Sequence, residues 1–62
     1  MDNAQKAQYY DDLLRESDIY QRRNSKLKSE FATNIPPHIQ KEIDFNNKKI
    51  AELVGKLESL FR

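Results

Sequence analysis

The sequence predicts an all-α fold, an antiparallel two-helix hairpin of coiled-coil character, and three observations predict it. Tyr10, Leu13, Ser17, Tyr20, Asn24, Leu27 and Phe31 follow the alternating three-and-four spacing of a heptad seam, and so do Ile39, Ile43, Asn46, Ile50, Leu53, Leu57 and Leu60. A Pro36-Pro37 dipeptide separates the two stripes. Folded about position 35, each member of one stripe meets a member of the other, because the paired residue numbers all sum to 70: Tyr10 with Leu60, Leu13 with Leu57, Ser17 with Leu53, Tyr20 with Ile50, Asn24 with Asn46, Leu27 with Ile43, Phe31 with Ile39. The asparagines, the only amides in either stripe, fall in one layer.

The first helix is expected over residues 3–32, a stretch without Gly or Pro. Asp2 or Asn3 can accept an orphan backbone N–H at its start. The turn is expected at residues 33–36, where Pro36 confines Ile35 to extended conformations and so stops the first helix. Pro36 or Pro37 then suits the first turn of the second helix, in which a missing N–H costs nothing. That helix is expected over residues 37–60, with Gly55 its one weak point, at about 1 kcal/mol relative to Ala. The whole chain, residues 1–62, reads as a single hairpin domain.

In this register Tyr10, Ser17, Asn24 and Phe31 take a positions and Leu13, Tyr20 and Leu27 take d. Ile43, Ile50 and Leu57 take a, with Ile39, Asn46, Leu53 and Leu60 at d. Each layer therefore sets an a residue against a d residue, as antiparallel packing requires. The Asn24–Asn46 layer is expected to lock the register, because sliding either helix would bury an amide against Leu or Ile.

Three of the fourteen seam residues are Ser or Asn, and cysteine is absent, so disulfides cannot supplement the core. Completion of a helical bundle by a second copy or a protein partner is expected to supply the missing burial. The leftover apolar residues show where. Ala7 and Leu14 fall at e on the first helix, Val54 and Phe61 at e on the second, and in an antiparallel pair both e rows flank the same side of the seam. Together with Tyr10 and Leu57 they form the leading interface candidate, near the chain-terminal end. On the opposite side Tyr9 at g, with Ile19 and Phe45 at c, forms a secondary candidate.

Charged residues make up 34% of the chain, yet the net charge is +1, so no global field draws it to nucleic acid or a membrane. Its distribution is uneven. Residues 1–20 carry Asp2, Asp11, Asp12, Glu16 and Asp18 against Lys6 and Arg15, while residues 21–29 carry Arg22, Arg23, Lys26 and Lys28 with no acid. Acids early and bases late in a helix suit its macrodipole. Lys48 and Lys49 join the basic group across the hairpin, and these six side chains are the phosphate contacts of the alternative reading, a small dimeric RNA- or DNA-binding regulator. Phe45 is the only aromatic residue placed there to stack on a base.

Little in the chain suits catalysis: no Cys, no Gly-rich loop, and serines without a base beside them on a helix. His38 and Glu42 supply two metal ligands of the three or four a site needs. Asp11 with Asp12, and Glu42 with Asp44, read as solvated helix positions. No cofactor, metal or small-molecule substrate is expected. The residues after Met1 have no apolar core of a secretory signal, and no run approaches the ~18 apolar residues of a membrane span. The expectation is a cytoplasmic, non-enzymatic interaction module, an adaptor, small chaperone subunit or regulator, acting through helix packing.

Overall fold

A computed structural model describes residues 2–61 as two α-helices, α1 (Asn3–Glu30) and α2 (Pro37–Ser59), folded back on each other. The hairpin is a rod of 47 × 15 × 13 Å.

Asp2 caps α1. Its Oδ1 accepts from the Gln5 backbone N–H at 2.8 Å, and the Gln5 side chain reaches back to accept from the Asp2 N–H at 3.2 Å. This reciprocal capping box satisfies two donors that the helix itself leaves unpaired. At the other end the helix stops at Glu30, short of the expected residue 32, because Phe31 turns to φ −115°, ψ 34°. The Phe31 N–H still bonds the Leu27 carbonyl at 3.0 Å, and residues 31–33 form the turn.

Pro36 stands at φ −60°, ψ 151°, and its carbonyl accepts from the Ile39 and Gln40 N–H groups at 3.0 and 2.9 Å. No side chain caps α2. Pro37 takes the first helical position, where it has no donor to leave orphaned. The dipeptide therefore ends one helix and begins the next within two residues.

Burial follows the seam. Among the described residues all seven buried ones belong to it: Leu13, Ser17, Asn24 and Leu27 on α1, and Ile43, Asn46 and Leu53 on α2. The other seam members are half-buried except Tyr10, which is 39% exposed and sits where the terminal end of the rod opens. Only four of the seven are apolar, so the hairpin holds a narrow core with no second layer behind it. Burying a hydroxyl and two amides demands partners. Gln21 donates to the Ser17 hydroxyl at 2.9 Å, one helical turn away, and the asparagines bond each other. Among the described residues no buried side-chain nitrogen or oxygen lacks a partner.

Among the described residues one ion pair ties the helices together, Arg23 Nε to Glu42 Oε1 at 3.3 Å. Both occupy g positions, which face one another across an antiparallel seam. Among the described residues no helix is long and apolar enough to cross a membrane.

Candidate interaction surface

The e rows of both helices lie on one side of the rod, and there the terminal end carries exposed apolar side chains from both helices. Leu14 and Val54 are 41% and 40% exposed, and Phe61, just past the end of α2, is 77% exposed. The α2 helix closes with the Phe61 N–H bonded to the Glu58 carbonyl at 3.2 Å, which keeps the ring beside the hairpin. There it meets Tyr10 edge to face, with centroids 5.7 Å apart and planes at 79°. This arrangement directs the positive edge of one ring at the negative face of the other. Beside the pair runs an open groove lined by Ala4, Ala7, Tyr10, Asp11, Leu60 and Phe61. Ala7 is exposed and Leu57 half-buried at the border of the same face.

The opposite side is less continuous. Tyr9 is half-buried, Ile19 is 66% exposed and Phe45 is 54% exposed. In the hairpin register Ile19 and Phe45 stand six residues apart along the rod, about 9 Å. Lys49 Nζ lies 5.5 Å from the Phe45 ring centroid, so that ring already serves as a cation–π partner.

Four of the six candidate phosphate-contacting bases are engaged by carboxylates. Arg22 pairs with Asp18 at 2.7 Å, Arg23 with Glu42 at 3.3 Å, Lys26 with Glu30 at 4.0 Å and Lys49 with Glu52 at 3.7 Å. Among the described residues only Lys28 and Lys48 of the six have no such partner within the same distance. The fold nonetheless sorts charge along the rod. Residues 19–50, the loop half, hold seven bases and three acids, whereas residues 2–18 and 51–61 hold seven acids and three bases.

His38 and Glu42 gain no third ligand: no group of three or more His, Cys, Asp or Glu side chains is placed to hold a metal ion among the described residues. Glu42 is instead turned to Arg23. The register layer extends further than seam spacing indicates. Asn24, which accepts from Asn46 at 2.8 Å, donates in turn to Asn47 Oδ1 at 2.9 Å, so three amides form one chain. Asn47 is an exposed e residue, and its only sequence signal is adjacency to Asn46.

No protein-family model matches the chain, and no curated protein or solved structure does.

Proposed function

We propose that this chain is a non-enzymatic protein–protein interaction module of the cytoplasm, an adaptor, small chaperone subunit or regulator, that packs its terminal e face against a second copy or a larger protein. The observation that supports this most is the gathering of exposed apolar side chains on that side. Two half-exposed aliphatic side chains and an edge-to-face aromatic pair share it, on a rod that buries four apolar side chains among the described residues. Aromatic and branched anchors of this kind dominate helix-on-helix recognition.

The test is recovery of the tagged chain with its bound proteins from the cell that makes it. Ile19→Glu retains the complex, and Leu14→Glu combined with Val54→Glu loses it. The reverse pattern moves the interface to the opposite side.

The sorted charge supports a second reading, an RNA- or DNA-binding dimer using Arg22, Arg23, Lys26, Lys28, Lys48 and Lys49. Glu30, Glu42 and Asp44 interrupt that basic stretch and the net charge of the chain is only +1, and both weigh against it. Titrating salt against binding to generic nucleic acid separates the readings, because phosphate contacts weaken steeply with salt and apolar packing does not.

A further inference from the structure

Building on the proposed interaction face, we infer that its occupant is one amphipathic helix of a different protein, about four turns long and flanked by Lys or Arg, rather than a second copy of this chain. The inference rests on what surrounds the apolar residues. In the terminal half the e and b positions facing that side are Ala4, Ala7, Asp11, Leu14 and Asp18 on α1, and Ala51, Val54 and Glu58 on α2 with Phe61 just beyond it. Every one is apolar or acidic. The bases of this half, Lys6, Arg15 and Lys56, fall at d, f and g. Of these three, Lys6 lines the groove beside the Tyr10–Phe61 pair.

Shape and charge agree. From the level of Ala4 to that of Ala51 the face runs about 22 Å, the length of roughly four helical turns. Ala4, Ala7 and Ala51 are exposed small residues along it, so a third helix can approach closely, with Leu14, Val54 and the Tyr10–Phe61 pair as its apolar floor. Asp11, Asp18 and Glu58 form the rims on either side. Asp11 and Asp18 are paired with Arg15 and Arg22 at 2.8 and 2.7 Å, but these are exposed pairs within one helix, and such pairs are weak enough for an incoming cation to displace.

A second copy meets the opposite situation. Two-fold pairing of this face brings the acids of one copy, Asp11, Asp18 and Glu58, toward the same set of acids on the other, within a half that carries seven acids to three bases. A helix of basic rim laid along the face instead covers the flanking alanines and gains the acidic rims.

The experiment uses the full chain and two synthetic helical peptides about 18 residues long. They share one Leu/Ala apolar face; the polar positions are Lys and Arg in one and Glu in the other. Binding is read by fluorescence anisotropy at roughly 50 and 500 mM salt, with sedimentation equilibrium of the chain alone. The expected result is binding of the Lys/Arg peptide at least about tenfold tighter than the Glu peptide at low salt, weakening as salt rises. Leu14→Gln with Val54→Gln, which leaves charge unchanged, removes that binding, and Ile19→Gln does not. Should the double variant lose its helical circular dichroism, Phe61→Ser, altering the most exposed of these residues, takes its place. Equal or tighter binding of the Glu peptide, or self-association through Leu14 and Val54 that excludes the peptides, overturns the inference and leaves the interaction face standing. Equal loss with Ile19→Gln moves the site to the other side. Binding of neither peptide by a chain that stays monomeric overturns both this inference and the interaction face on which it rests.

Discussion

Asn46 donates its side-chain amide to the Asn24 carbonyl oxygen at 2.8 Å, across the seam and inside it. Asn24 passes the interaction on to Asn47 at 2.9 Å, so the middle residue of the chain of amides uses both its polar atoms. The two buried asparagines are 5% and 4% exposed, too far from water for any other partner to substitute readily. A shift of either helix breaks both bonds and exposes neither amide, which is how a polar layer fixes register at some expense in stability.

Single replacement of Asn24 by Leu is therefore predicted to destabilise by about 1–3 kcal/mol, as it orphans a buried amide. Asn46→Leu costs less, because Asn24 keeps Asn47. Replacing both raises the melting temperature and loosens register or association state. A double-mutant cycle in chemical denaturation checks this, and absence of coupling between the two positions contradicts the layer.

Gly55→Ala is predicted to stabilise the hairpin by up to about 1 kcal/mol. An added Cβ meets no heavy atom within 4 Å, so nothing opposes the gain in helix propensity. Thermal melts followed by circular dichroism measure it, and a lower melting temperature would contradict an open helical position.

Asp2→Ala is predicted to cost about 1 kcal/mol and to fray the first turn of α1. Amide hydrogen exchange at Gln5 reads the effect directly, since that N–H is the one Asp2 holds at 2.8 Å. Unchanged protection there means the capping box does not form.

Changing Arg22, Lys26 and Lys48 together to Gln is predicted to cost well under 1 kcal/mol, because the pairs these residues make are exposed. Protein binding stays within about a few-fold, as these bases lie off the terminal face. A nucleic-acid binder would instead lose affinity strongly and show a shallower dependence of log affinity on log salt, by roughly the number of contacts removed.

Much of the fold is legible in the sequence because heptad spacing and proline are local, strong signals. Among the described residues the seam names every buried one, and Pro36 with Pro37 marks the reversal. What spacing does not encode is the direction of side chains beyond the seam. Asn47 reads as a solvent residue, and only the rotamer of Asn24 brings it into the amide chain. Gln21 likewise reads as a polar e residue, yet it supplies the hydrogen bond that makes a buried Ser17 tolerable. Spacing sets Tyr10 and Phe61 on one side of the rod, but their edge-to-face meeting depends on χ angles and on the turn closing α2. Phe31 shows the same limit of pattern: it keeps the seam spacing while its backbone has already left the helix.

Photocrosslinking in the cell that makes the chain tests the central claim most directly, with Leu14, Ile19 or Lys48 replaced in turn by a photoreactive amino acid. The account predicts a protein adduct from position 14 and none of comparable yield from position 19 or 48. Adducts to nucleic acid from position 48, with nothing captured at position 14, would contradict it.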